Sequence, residues 1–241
     1  GIVDDSTGSV IYAANLNADG FSFAKYIQNE INVPVHIAND ADCAALGEYT
    51  RNGNGAKSFV LVTLGTGVGG GVVLNGRLYG GSNSVSCELG HMTLVSGSEK
   101  CSCGKRGCFE AYASVTALKR QTKAAMDKNP QSLMYKFLND NGKILGKTAF
   151  RAADAGDSAA KKVVNRYLTY VADGIVSIEN ILQPDVIVIG GGISKEGGKL
   201  LKPVSEYADK YRFNQYTAHT EIKIASLFNN AGIVGAAMLC K

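Results

Sequence analysis

Apolar residues in this chain occur in short continuous runs, and polar or glycine-rich segments separate those runs. The runs at 58–64 and 185–190 are apolar almost throughout, which is typical of strands buried on both faces of a sheet. Helical spacing of apolar residues dominates from Phe109 to Leu182. The alternation of the two patterns predicts a mixed α/β protein.

Weaker patterns complete the set of predicted elements. Asn75-Gly76 is the pair that a type I′ turn prefers, so residues 71–79 are predicted to form a hairpin. The other predicted elements are strands at 33–38 and 221–227, and helices at 21–32, from 39 onward, at 198–211 and at 231–240.

The charge balance restricts the possible function classes. Of 241 residues, 25 are Lys or Arg and 21 are Asp or Glu, and no basic block is longer than a few residues. This balance predicts neither nucleic-acid binding nor membrane attachment, and no apolar run is long enough to span a bilayer. The chain opens without methionine, so the absence of a signal peptide decides nothing.

Gly65–Gly70 matches the dinucleotide-binding pattern G-x-G-x-x-G. That pattern holds a pyrophosphate only where a helix follows it, and here a hairpin is predicted to follow. We therefore reject a Rossmann site. Instead, the loop is interpreted as a turn whose backbone N–H groups and Thr66 hydroxyl can face a phosphate. A glycine-rich turn without any ligand explains this loop equally well.

A second glycine loop, Gly190–Gly192, lies between a predicted strand and a predicted helix. Three glycines there would leave a flat surface against which an adenine or a ribose can lie. A tight strand–helix turn is the alternative explanation.

Asp40 falls where the run at 33–38 meets the start of a predicted helix. The ordinary explanation is that Asn39 or Asp40 is the N-cap of that helix. A carboxylate at this position is also kept ionised by the positive end of the helix, which suits a group that accepts a hydroxyl proton. In phosphoryl transfer such a group mainly orients the nucleophile, so it does not need a raised pKa.

Three of the six cysteines crowd into one short segment and have a histidine nearby in the pattern H-x9-C-x-C-x4-C. A secreted disulfide framework is usually more evenly spaced, so the cysteines favour a reducing, cytoplasmic compartment. Three thiolates and one imidazole form a closed tetrahedral set for a structural zinc ion. Three free cysteines beside an unrelated histidine are the alternative. The predicted ligands are His91, Cys101, Cys103 and Cys108. We expect the ion to fix the loop so that Glu88 and Glu110 converge on one ligand.

Four segments together resemble the ROK (repressor, open-reading-frame and kinase) family. They are IANDADCAALGE, LGTGVGGGVVLNGRLYGG, CELGHM and CSCGKRGCFEAYAS. In order, they resemble the family's Asn-Asp-Ala segment, its phosphate loop, its Glu-x-Gly-His sugar motif and its zinc signature. The resemblance implies an α/β fold of the actin/hexokinase-like (ribonuclease H-like) class. Such a fold has two lobes, with ATP and a sugar between them.

The resemblance also implies roles for the matching residues. Asp40 looks like the catalytic base that acts on a sugar hydroxyl. The residues that look like sugar ligands are Asn39, Asp40, Gly67, Glu88, His91 and Glu110. Those that look like ATP contacts are Thr66 and Gly67 at the phosphates and Gly191 and Gly192 at the adenosine. Carboxylates and amides suit hydroxyl-rich ligands because each can serve two hydroxyls. Family members are commonly dimers, so a homodimer is implied as well.

Two departures from the family's pattern affect these expectations. Its first phosphate loop, an Asp-x-Gly-x-Thr hairpin, has no counterpart in the chain, so a polypeptide starting at Gly1 is expected to be inactive and prone to aggregate. The implied small lobe is the remainder at 1–40, with the helix at 230–241 packing back on it, and 41–229 form the large lobe. The segment at 83–87 is bulkier than the family's usual one, which makes a hexose a firmer prediction than glucose.

The combined interpretation is an ATP-dependent hexose kinase of the glucokinase type that uses ATP with Mg²⁺ and a structural Zn²⁺. The alternative from a different class is a ROK sugar-responsive transcriptional repressor, whose DNA-binding segment would lie outside this chain. A degenerate sugar-binding remnant is a third alternative. Asp40, the two glycine loops and the weakly charged composition favour the kinase.

Overall fold

The structure, a computed structural model, describes residues 1–13, 17–53, 55–82, 85 and 87–240. A two-stranded hairpin at the start of the chain precedes a five-stranded mixed sheet with helices on both faces. The strands are β1 (Ile2–Asp4), β2 (Ser9–Tyr12), β3 (Ser58–Leu64), β4 (Val68–Leu74), β5 (Arg77–Leu78), β6 (Val186–Gly190) and β7 (Glu221–Ile224). The helices are α1 (Phe23–Glu30), α2 (Asp40–Asn52), α3 (Glu110–Ala113), α4 (Val115–Lys128), α5 (Thr148–Asp154), α6 (Ser158–Leu182), α7 (Gly198–Tyr211) and α8 (Ala231–Met238).

The order of the large sheet is β5-β4-β3-β6-β7, with β3 at its centre. Strand β3 pairs antiparallel with β4 and parallel with β6, which in turn pairs parallel with β7. The predicted hairpin is confirmed, because Asn75 and Gly76 both have the positive φ values, 50° and 80°, that a type I′ turn requires.

Side chains of β3 alternate between two apolar layers, as expected for a strand covered on both faces. Phe59 and Leu61 pack in one layer with Ala45 of α2. Val60 and Val62 pack in the other layer, which helices α4 to α7 supply. The protein therefore has a three-layer α/β/α architecture, and the continuous apolar runs at 58–64 and 185–190 form its central strands.

Helix α8 packs against α2 at an unusually close crossing. A Cβ atom added at Gly235 would lie 1.6 Å from the carbonyl oxygen of Cys43, and one added at Gly47 would lie 2.1 Å from that of Ala231. The carboxylate of Glu48, buried on α2, accepts a hydrogen bond of 2.8 Å from the backbone N–H of Leu227 just before α8. The division of the chain into 1–40 with 230–241 and 41–229 stays a prediction.

Two local predictions need correction. The strand predicted at 33–38 is wrong, because those residues form no ladder in the described structure. Pro34 has no N–H to donate, and the N–H of Ile37 donates to the side chain of Asp5 instead, at 3.0 Å.

The sequence analysis did not predict the hairpin of β1 and β2. It turns at Asp4, whose carboxylate accepts hydrogen bonds from the hydroxyls of Ser6 and Thr7.

Helices of the described part of the chain are each too short or too polar to cross a membrane.

Candidate functional site

The two glycine loops meet at the carboxyl ends of the parallel strands β3 and β6. Thr63 pairs with Gly190 at the end of the ladder, so the two strands lead into their loops side by side. Gly191 has a φ of 84°, and a Cβ there would lie 2.4 Å from the carbonyl oxygen of Leu64. Only glycine allows this approach. In α/β sheets, ligands bind in the crevice outside the carboxyl ends of parallel strands, which is where these loops lie.

The first turn of α4 holds the loop at Gly65–Gly67. The backbone N–H of Val115 donates to the carbonyl oxygen of Gly65 at 2.8 Å, and the Thr116 hydroxyl donates to that of Thr66 at 2.7 Å. These contacts occupy carbonyl groups of the loop, while the residue Thr66 itself is exposed. The loop is therefore fixed in shape and keeps a hydroxyl-bearing residue at the surface.

The second loop is similarly fixed and partly open. The Ser194 hydroxyl donates to the carbonyl oxygen of Gly191 at 2.7 Å. A Cβ added at Gly192 would meet no atom within 4 Å, so this position offers an open backbone surface. Lys199 and Asp154 form an ion pair close to the loop, and burial raises the pKa of the nearby Glu196 carboxyl.

Glu110, at the start of α3, connects the loop at Gly65–Gly67 to the cysteine-bearing segment. Its Oε2 accepts a hydrogen bond of 3.0 Å from the backbone N–H of Val68 and lies so close to Gly67 that a Cβ there would be 2.3 Å away. Its Oε1 accepts one of 2.9 Å from the hydroxyl of Ser102. Glu110 therefore contacts protein donors on both sides, which the sequence did not indicate.

The four predicted zinc ligands come together. Their ligand atoms all lie within 4.8 Å of one another, and the sulfur atoms of Cys103 and Cys108 are 3.7 Å apart. A tetrahedral zinc ion with Zn–S bonds of about 2.3 Å would place its sulfur ligands about 3.8 Å apart, so the spacing fits the ion. Burial raises the pKa of the Cys108 thiol to about 12. Binding of a metal ion would therefore have to displace a proton from this residue.

His91 faces the cysteine cluster with one nitrogen and a carboxylate with the other. Its Nδ1 is 3.6 Å from the sulfur of Cys101, and its Nε2 is 3.8 Å from Oε2 of Glu88. A carboxylate on the second nitrogen of a ligating histidine fixes the orientation of the ring. The side chain of Glu88 is still about half exposed and so is open to a ligand.

At the start of α2, the N-cap is Asn39 and not Asp40. Asn39 is the N-cap, because its Oδ1 accepts a hydrogen bond of 2.8 Å from the backbone N–H of Ala41. Its Nδ2 donates to the carbonyl oxygen of Gly1 at 2.7 Å. Asp40 Oδ1 also contacts the Ala41 N–H, at 3.0 Å, and Asp40 Oδ2 has no hydrogen-bond partner among the described residues. The capping alternative thus applies to Asn39, and Asp40 presents an exposed carboxylate.

Asp42, which the sequence prediction did not include, lies near the predicted site residues Asp40 and Glu88. It lies half-buried on the first turn of α2, and burial together with the charges of Glu88 and Asp40 raises its pKa to about 6. Two acids at positions 40 and 42 of a helix start were a visible signal. The approach of Glu88 was not visible, because it depends on the tertiary fold.

The segment predicted to alter the sugar pocket is only partly described. Asn83, Ser84 and Ser86 lie outside the described residues. Of the others, Val85 is partly buried, and Cys87 has a positive φ of 63°.

Comparison with models of protein families matches residues 1–241 to the ROK family. Among curated proteins, the glucokinase of Halalkalibacterium halodurans is 38% identical over 243 residues, covering 100% of this chain and 74% of that protein. Among solved structures, a ROK family glucokinase from Streptomyces griseus in complex with glucose and AMPPNP has a TM-score of 0.86 at 31% identity. The match covers 99% of this chain and 78% of that one.

Regulators resemble the chain as well. A ROK family transcriptional regulator has the same TM-score of 0.86 at 26% identity, and the match covers 99% of this chain but 60% of the regulator. The shared core is therefore found in kinases and in regulators.

Proposed function

This chain belongs to the ROK family, as a sugar kinase with the family's actin/hexokinase-like α/β fold, and we propose that it phosphorylates glucose with ATP. The observation that carries the proposal is the arrangement at the start of α2. Asn39 caps the helix, which leaves the exposed carboxylate of Asp40 available for a substrate hydroxyl.

Asp40 acts as the base in this proposal. Its carboxylate is exposed at the first residue of α2. The carboxylate accepts a hydrogen bond from the sugar hydroxyl and aligns the oxygen for attack on the γ-phosphorus. As the new P–O bond forms, the bond between the γ-phosphorus and the β,γ-bridging oxygen breaks, ADP leaves, and the hydroxyl proton moves to Asp40.

The sugar would be held by side chains around the cysteine cluster and the start of α2. Carboxylates and amides can each serve two neighbouring hydroxyls, which suits a hexose. Glu88 is the most accessible of these groups, and His91 Nε2 lies beside it. The proposed sugar ligands are Asn39, Asp40, Gly67, Glu88, His91 and Glu110.

ATP would lie along the crevice between the two glycine loops, with its phosphates at Thr66 and Gly67 and its adenosine at Gly191 and Gly192. The fixed loop at Gly65–Gly67 would present backbone N–H groups to the phosphates. Mg²⁺ would enter with ATP and would stabilise the negative charge of its phosphates. The loop geometry supports this placement because α4 and Glu110 fix the loop from two sides.

A zinc ion at His91, Cys101, Cys103 and Cys108 would be structural. When bound, it would fix the segment between Glu88 and Glu110. Its four protein ligands would leave no position open for a substrate, which is why its role would be structural. The sugar itself would be bound by Glu88 and Glu110. Glu88 lies beside His91, and Glu110 accepts a hydrogen bond from Ser102, so both carboxylates are next to the cysteine-bearing segment that the ion would fix.

We also propose that the protein forms a homodimer and that it works in the cytoplasm.

A sugar-responsive regulator is the second candidate, and the similarity to the ROK transcriptional regulator favours it. A regulator needs the sugar site but not Asp40 as a base. Turnover that depends on Asp40 therefore distinguishes the two functions.

The test compares wild-type chain with Asp40→Asn, each expressed as residues 1–241 and as a fusion preceded by the first segment of the Halalkalibacterium halodurans glucokinase. We expect glucose phosphorylation by the wild-type fusion. Asp40→Asn should lower kcat by at least about 10²-fold, while glucose affinity by calorimetry changes less than about threefold. Near-wild-type turnover of the variant would show that Asp40 is not the base. Glucose binding without turnover by either wild-type protein would favour the regulator.

A further inference from the structure

A cavity of about 600 Å³ lies on the outer side of α4, away from the proposed sugar and nucleotide residues. One wall is the exposed face of α4 from Lys119 to Asp127, and the other is the turn from Leu138 to Ile144. Neither glycine loop, the cysteine cluster nor Asp40 contributes a lining residue. Its volume is in the range of sites that enclose small organic molecules, roughly 300–1,000 Å³.

The floor of the cavity is apolar and its walls are fixed. Met126 is buried, and the hydroxyl of Tyr135 donates to the Met126 carbonyl oxygen at 3.1 Å. On the opposite wall, the side chain of Asn139 accepts a hydrogen bond of 2.7 Å from the backbone N–H of Lys143, which closes the turn. The cavity is therefore shaped before any ligand binds, which lowers the entropic cost of binding.

The rim of the cavity is cationic. Lys119, Arg120, Lys123 and Lys143 line it, against one carboxylate, that of Asp127. Lys123 pairs with Asp127 at 2.9 Å, and Arg120 is 3.5 Å from Glu99, which does not line the cavity. Lys119 and Lys143 have no ion-pair partner within the described ranges of the chain. Two ammonium groups on opposite walls are thus free to bind an anion.

We propose that this cavity binds a small amphipathic anion, with an apolar or aromatic body on the Met126 floor and a phosphate group at Lys119 and Lys143. Lysine ammonium groups bind phosphate as point charges and tolerate varied geometry. The apolar floor excludes inorganic phosphate as the full ligand, because phosphate alone would leave that surface unfilled. None of the residues proposed to contact ATP lines the cavity.

The experiment titrates the full chain with 1-naphthyl phosphate, followed by its fluorescence, with and without saturating AMPPNP. We expect one saturable site per chain whose affinity AMPPNP leaves unchanged. Neutral 1-naphthol and inorganic phosphate should each bind at least about tenfold more weakly, since each lacks one half of the recognition.

A pair of double variants locates the site. Lys119→Ala with Lys143→Ala should weaken binding of 1-naphthyl phosphate by at least about tenfold. Lys161→Ala with Lys162→Ala removes the same charge from exposed positions of α6 and should change binding less than about twofold. Equal effects of the two double variants, absence of saturation, or competition by AMPPNP would each overturn the proposal.

Discussion

Glu110 Oε2 accepts a hydrogen bond of 3.0 Å from the backbone N–H of Val68, so a proposed sugar ligand also holds the loop proposed to bind phosphate. Glu110→Ala would leave this partly buried donor without its partner, at a cost of about 1–3 kcal/mol. We expect the affinities for both glucose and AMPPNP to fall by about 5- to 100-fold in calorimetry. Glu206→Ala, on the exposed side of α7, is the control. A loss confined to glucose would mean that the contact to Val68 does not support the loop.

The second prediction concerns the metal. Wild-type protein purified without chelator should contain about one zinc ion per chain, and Cys103→Ala should lose it and bind glucose more weakly. Cys240→Ala removes an exposed thiol outside the cluster and should keep the metal. Elemental analysis measures both. Well under one zinc ion per wild-type chain would contradict the prediction.

The third prediction compares the effects of substituting Gly191 and Gly192, the last two glycines of the second loop. Gly191→Ala forces a side chain into positive φ and against Leu64, so we expect a loss of about 2–4 kcal/mol. The expected fall in Tm is about 5–15 °C. Gly192→Ala meets open space and should leave Tm nearly unchanged while it weakens AMPPNP binding. Equal thermal effects of the two variants would argue against the close approach at Leu64.

The fourth prediction follows from the raised pKa of Asp42. The unfolded chain ionises this group near pH 3.8 and the folded chain near pH 6, so the native state binds more protons between these values. The stability that Asp42 contributes therefore falls as pH rises from about 4 to about 6. At neutral pH, Asp42→Asn should stabilise the protein by about 1 kcal/mol after allowance for partial solvent exposure.

Thermal unfolding of Asp42→Asn across this pH range checks the sign. The Tm should exceed that of wild type by about 2–4 °C at pH 8, and the difference should vanish near pH 4. Asp140→Asn, in an exposed turn, is the control. The same Tm difference at both pH values would show that the Asp42 charge is not responsible.

The sequence predicted those features whose cause is local. The run at 58–64 is the strand β3 to the residue, because continuous apolar residues fit a strand covered on both faces. The cysteine spacing predicted a cluster that the fold does bring together, since three of its members lie within eight residues of chain; that the cluster binds zinc stays a prediction.

Features that depend on distant residues were not predictable. The pKa of Asp42 reflects Glu88, which reaches it only through the fold. The run at 33–38 looked like a strand, but a strand requires a partner ladder that a local pattern does not contain. Asn39 and Asp40 were interchangeable as caps in the sequence, whereas in the structure Asn39 is the extended residue before the helix and Asp40 is the first residue of α2.

The parallel pairing of β3 with β6 has a consequence for synthesis of the chain. Ser58 and Asp185, which hydrogen-bond at the start of this pairing, are 127 residues apart. At roughly 5–20 residues per second, a ribosome needs about 6–25 s to make the intervening segment. During that time the largely apolar strand β3 has one unpaired edge, which is a hazard for aggregation. The nascent chain should therefore depend on chaperones until β6 has left the ribosome, and slower translation of residues 65–185 should lower the yield of folded protein.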